Sequence, residues 1–175
     1  MSMRKESILR NHRAQSIIEL AILLPLILLL ALGVFEFGRA IHTKNMIINM
    51  SREAANLYER TSASTEFIMD AVASTSQPLQ MSSNGCIYLI KVQGKPSGPI
   101  VLEWDRWNDC PVSYRPGSRV GSSPSHGNPQ PDADIGNLVL SDGEVAYIAE
   151  VFYKQPLIFS RIINYAPEVY SRTIM

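Results

Sequence analysis

Two sets of residues have the types and positions to do specific chemistry: a lone acid in an oily run, and a pair of cysteines. Glu19 follows Ile17-Ile18 and precedes an unbroken apolar stretch from Leu20 to Phe35. A carboxylate inside hydrocarbon costs roughly 2.5–3.5 kcal/mol on insertion scales. The acid therefore needs a partner or a place at headgroup depth. Simple solvation at the interface is the plainer reading. The sharper one pairs Glu19 with a positive group on a neighbouring helix and so fixes axial register, the best-attested use of a buried polar group. Cys86 and Cys110 are the only cysteines. Both fall in the part of the chain expected outside the cytoplasm, so a Cys86–Cys110 disulfide is expected, with two buried free thiols as the alternative.

Other reactive residues form no constellation. His12, His42 and His126 are scattered without metal-ligand spacing. Ser125-His126 are neighbours, but nothing around them marks a nucleophile. Asp132-Ala133-Asp134-Ile135-Gly136 begins like a calcium loop, yet Gly143 stands where the bidentate Glu belongs. A solvated acidic turn is the reading. The residues thus point to no enzyme, no cofactor and no metal. Trp104 and Trp107 flank Asp105-Arg106 and read as core anchors, with a partner-facing aromatic patch as the alternative.

The elements that must position these residues begin with the apolar run. Ile17 to Phe35 as a helix is about 28 Å long, close to the hydrocarbon thickness of a bilayer. It is too long and too uniform for a buried core helix. Pro25 inside it is tolerated in membrane helices. Arg4, Lys5, Arg10 and Arg13, against Glu6 alone, precede the run and should stay on the cytoplasmic side. Arg39 and Lys44 beyond it are fewer. The chain after about residue 40 is therefore expected outside. Formal net charge is zero, with 16 basic and 16 acidic residues, so no field favours nucleic acid.

Three fates are open to the leader. Secretory cleavage at Gly38-Arg39-Ala40 would begin the product at Ile41. An uncleaved anchor would keep the N-terminus. A cut between Ala14 and Gln15 would make Glu19 the fifth residue of the product.

Arg13-Ala-Gln-Ser-Ile-Ile-Glu-Leu-Ala, then Leu24-Pro25, then Gly33-Val-Phe-Glu-Phe-Gly-Arg39, then Asn49-Met-Ser-Arg-Glu-Ala-Ala55 resembles the TadE/TadF-like pseudopilins of tight-adherence (Tad, Flp) pilus systems. The resemblance covers about residues 13–58. It implies cleavage by a prepilin peptidase on the cytoplasmic face, with Ala14 and Gln15 as the processing site and Glu19 as the assembly residue. It also implies a minor pilin rather than the much shorter major one. The partners implied are prepilin peptidase, other pseudopilins or pilins, the pilus assembly platform and the inner membrane, with roles in adherence and biofilm formation. Prepilins most often carry Gly before the cut, and Ala14 departs from that. The alternative is a single-span anchored binding protein of the cell envelope, unrelated to pili.

Beyond Phe35 the helical period continues. Ile47, Met50, Ala54, Leu57 and Tyr58 share one face, with Ser51, Arg52, Glu53, Asn56 and Glu59 elsewhere. One helix of about 40 residues, about 60 Å long, is expected to reach Arg60. Glu36 and Arg39, spaced i, i+3, could pair where it leaves the membrane. A short helix follows over Glu66 to Ala73, with Phe67, Ile68, Ala71 and Val72 inward. Strands are expected at Cys86 to Val92, Ile100 to Trp104 and Val145 to Tyr153, with short edges at Leu138 to Leu140 and Glu168 to Ile174. Residues 113–137, rich in Gly, Ser and Pro, read as a long surface loop. The fold class is α+β: a long N-terminal helix, transmembrane half plus amphipathic half, packed on a small, mostly antiparallel sheet. The expected segments are a basic leader over 1–14, the long helix over 15–60 with its membrane part about 17–35, and an extracytoplasmic domain over 61–175.

Overall fold

The computed structural model describes residues 3–124, 131–157 and 166–175, with side chains from residue 15 onward. Seven elements follow in order: α1 (Met3–Arg60), α2 (Thr65–Ser74), α3 (Met81–Asn84), β1 (Gly85–Gln93), β2 (Ile100–Arg106), β3 (Val145–Lys154) and β4 (Glu168–Ile174). The chain divides into two compact units, Met1–Ala40 and Ile41–Met175. The second unit is α+β, with the later part of α1 packed on a four-stranded antiparallel sheet of order β2-β1-β3-β4.

α1 has 58 residues and starts earlier than the sequence suggested, because helix continues back through the basic segment. Straight-chain Arg, Lys, Glu and Leu are good helix formers, and none of those positions carries a breaker. Pro25 lies inside the helix without ending it.

From residue 43 onward α1 buries one stripe. Ile47 and Ala54 are completely covered, and Thr43, Met50, Ala55 and Tyr58 are buried beside them. A large apolar side chain gains roughly 1.5–3 kcal/mol from such burial. Ser51 corrects the helical-wheel reading: it is fully buried, not on the outer face. It is tolerated there because its hydroxyl donates to Ile48 O and lies 2.9 Å from both Ser171 Oγ and Thr173 Oγ1 on β4. Tyr58 packs edge-on against Tyr147, with ring centroids 5.1 Å apart.

Ser64 caps α2, accepting from Phe67 N. This cap turns the helix so that Ile68, Met69 and Val72 face inward, while Phe67 is 66 % exposed. The inward residue is thus Met69 and not Phe67. Leu138 to Leu140 form no strand, whereas Glu168 to Ile174 form a full edge strand paired with β3.

Strand alternation gives the sheet two distinct faces. Ile87, Leu89, Ala149, Val151, Ser171 and Thr173 share the helix side, as their register partners and the Ser51 contacts show. Tyr88, Ile90, Ile148, Glu150, Phe152 and Tyr170 share the other. The described parts of the segment expected as a surface loop, residues 113–124 and 131–137, cover this second face, with Val120, Ala133 and Ile135 buried in the core. It is pinned by backbone bonds, Val101 N to Pro131 O, Ala133 N to Pro99 O and Asp134 N to Val120 O. Polar composition hid this, because only a few apolar residues are needed to anchor a long connection.

At one end of the sheet, Gly94 and Gly143 close the chain tightly. Gly143 has φ +81 and donates to Gly94 O, and a Cβ on Gly94 would sit 2.2 Å from Ser141 O. Only glycine fits that approach.

Candidate functional site

The first unit carries the junction singled out in the sequence. Gln15 and Glu19 are one helical turn apart, and Gln15 Nε2 donates to Glu19 Oε1 at 3.0 Å. The carboxylate therefore has one neutral donor within its own chain and capacity for more acceptor bonds. Ala14 lies outside the residues whose side chains are described. After Glu19 the helix offers only hydrocarbon. Leu26, Ile27, Leu28, Leu29 and Leu30 are consecutive and 54–64 % exposed. Five consecutive residues cover more than a full turn, so no side of the helix is covered within the chain. This is the one helix among the described residues that is long and apolar enough to cross a membrane. At the far end Arg39 Nη1 lies 3.3 Å from Glu36 Oε2, the i, i+3 pair expected there.

In the second unit Cys86 and Cys110 are joined in a disulfide, with Cα atoms 4.8 Å apart. The bond ties the start of β1 to the chain leaving β2. Trp107 is buried, and its Nε1 donates to Asp70 Oδ1 at 2.7 Å. Trp104 is half-buried against Tyr88, ring centroids 5.2 Å apart. Both tryptophans serve as packing anchors. Asp134 turns back on its own backbone, accepting from Gly136 N, while Asp132 pairs with Ile100 in a β-bridge. No group of His, Cys, Asp or Glu among the described residues could hold a metal ion. His42 is exposed on α1. His12 lies on α1 ahead of the residues whose side chains are described, and the Ser125-His126 pair lies outside the described residues.

The sequence reading missed a second acid in an apolar run. Glu150 sits in the middle of β3 between Ala149 and Val151 and is completely buried. Three groups answer it. Ser118 Oγ donates to one oxygen, Tyr170 OH donates at 2.6 Å to the other, and Arg119 N bridges both at 3.2 and 3.3 Å. Arg119 also lies 4.0 Å from the Tyr170 ring centre and pairs with Glu168 at 2.9 Å. Burial, then the bond to Glu150, pushes the Tyr170 hydroxyl well above the usual tyrosine range. The same argument that singled out Glu19 would have found Glu150: a lone carboxylate flanked by apolar residues must be satisfied by something.

Comparison with known proteins adds one match. The model of the TadE-like protein family fits residues 14–56. The match begins beside Gln15 and ends within α1, so all four strands lie beyond it. No curated protein and no solved structure matches the chain. Residues 14–56 are thus similar to the TadE-like family. The apolar helix fits a single-pass membrane anchor.

Proposed function

We propose that the protein is a minor pilin, a pseudopilin, of a Tad/Flp-type pilus. Prepilin peptidase cuts between Ala14 and Gln15 on the cytoplasmic face of the inner membrane. The N-terminus lies inside and the α+β domain in the periplasm. The processed helix then enters the assembly platform beside other pseudopilins or pilins, in a pilus that serves adherence and biofilm formation.

The observation that carries this reading is the Gln15–Glu19 pair at the head of a helix bare on every side. Cleavage at Gln15 would free a positive amine one turn from Glu19. Within one chain Glu19 meets a neutral amide. A neighbouring helix, offset along its axis, could bring its terminal amine to that carboxylate. Charge neutralisation in lipid would then depend on correct register.

The test is N-terminal sequencing of membrane-extracted protein, with Glu19→Ala and Ala14→Arg compared by gel mobility and pilus assay. Gln15 should be the first residue of the mature form. Glu19→Ala should insert and be cut but fail to assemble, and Ala14→Arg should accumulate uncut. A functioning pilus built with the leader retained, or normal assembly of Glu19→Ala, would overturn the mechanism. An intact N-terminus with no pilus phenotype would favour the anchored binding protein instead.

A further inference from the structure

The helix side of the sheet carries opposite charge at its two edges. β4 forms one edge and β2 the other. Along the β4 edge, Lys44, Ile48 and Arg52 are successive turns of α1 and form an open groove with Tyr170–Thr173. Lys44 donates to the Tyr170 carbonyl, and Arg52 is exposed. Arg172 borders the groove through its backbone, its side chain lying on the sheet's other face and donating to Asp134 O, and no acidic residue lines this groove among those described. Along the β2 edge the balance inverts. Glu66 and Asp70 on α2 accept from Asn108 and Trp107 just past β2, Asp109 lines a cleft with Asp70, and on β2 Asp105 accepts from Thr65 and Glu103 from Tyr58, so these acids border the β2 edge. Lys91 on the same face is already bound to Glu103 at 3.1 Å.

We propose that a second copy of this chain docks head to tail, the basic α1/β4 groove of one subunit against the acidic α2/β2 rim of the next. Both halves of the complementary pair lie on one molecule, which is what selects a second copy as the occupant. A two-fold contact through either edge would set cations against cations or acids against acids, which is costly. An edge-to-opposite-edge contact avoids that, and it repeats as a ring or an open filament according to its rotation. Edge strands also present unpaired backbone groups to whatever docks there. The inference rests on the assembly reading above but adds a surface separate from the apolar helix.

The experiment uses the full chain in membranes. Two differently tagged copies carry Arg52→Cys and Glu66→Cys, and a short bis-maleimide joins thiols; the native cysteines are occupied in their disulfide. The 52–66 product should exceed the 52–52 and 66–66 products by about tenfold, the scale of a modest electrostatic preference. Lys44→Glu with Arg52→Glu should reduce photo-crosslinking across the same interface by a similar factor. Glu66→Lys with Asp109→Lys in the other copy should restore it. Ala31→Cys in the apolar helix reports assembly independently. Crosslinks at residue 31 without any 52–66 product would sink the edge contact and leave the assembly reading standing. Absence of both would overturn the two together. Equal 52–52 and 52–66 yields would replace the head-to-tail contact by a two-fold one.

Discussion

The two halves of α1 are one continuous helix with opposite solutions for their apolar surface. Between Leu20 and Phe35 the side chains are apolar all round and, apart from half-buried Leu32, exposed. Between Thr43 and Tyr58 they alternate, and one stripe is buried against the sheet. A helix apolar on every side needs lipid or other helices for its entire circumference, whereas a striped one is satisfied by its own chain. Stability of the α+β unit, Ile41–Met175, which is the outer domain of the proposed topology, and retention in the membrane should therefore be separable.

The largest expected effect tests that separation. Ile47→Ala should cost the outer domain about 2–5 kcal/mol, as for a fully buried aliphatic, and leave membrane retention unchanged. Leu29→Ala should leave outer-domain melting unchanged. Equal melting shifts for the two would dissolve the distinction. Next, replacing Cys86 and Cys110 together by Ser opens a link across a sequence separation of 24. Chain-entropy arguments put the loss at about 3 kcal/mol, read as a lower denaturant midpoint of the outer domain alone.

Alkali should separate the halves more gradually. Tyr58, Tyr114 and Tyr170 are held protonated above their usual range, first by burial and then by donating to Glu103, Glu168 and Glu150. An unfolded tyrosine ionises near pH ~10. Above that pH the unfolded state releases protons that the folded state keeps, so stability falls as pH rises; below it these groups cost nothing. Denaturant titrations from about pH 8 to about pH 11 should show the decline beginning near pH ~10, while alkaline washing leaves the protein in the membrane. A flat stability profile would count against the buried tyrosine network. The smallest effect concerns α2, where Phe67→Ala should change outer-domain stability by less than about 0.5 kcal/mol. Met69→Ala should cost several times more, and the reverse order would restore the inward placement of Phe67.

Much of this was legible in the residues because the signals were periodic. The apolar run and the stripe from Ile47 to Tyr58 each announce an element and a face, and the short apolar runs of β1 and β3 announce strands buried on both faces. Phe67 was misplaced because a cap sets the rotation of a helix as short as α2, and Ser64 is not part of any apolar pattern. Ser51 was misplaced because its burial depends on hydroxyl partners far along the chain, on β4. The cover formed by residues 111–124 and 131–136 was invisible for the same reason: Val120, Ala133 and Ile135 are isolated anchors in polar sequence. At the junction, residue type was enough to single out Glu19, but its Gln15 partner follows only once the helix places them one turn apart.

The strand order carries a kinetic consequence. β1 meets β2 through a short connection, with Gln93 opposite Ile100, but it meets β3 through partners as distant as Gly85 and Tyr153. Such long-range pairing is slow to form, on the order of milliseconds to seconds in domains dominated by it. Until β3 arrives, the β1–β2 hairpin shows Ile87, Leu89 and Ile90 to the surroundings along an open edge. Newly made chains are then most prone to aggregate in that interval. The rate at which the chain's second half is delivered to the folding domain sets how long that vulnerable hairpin waits.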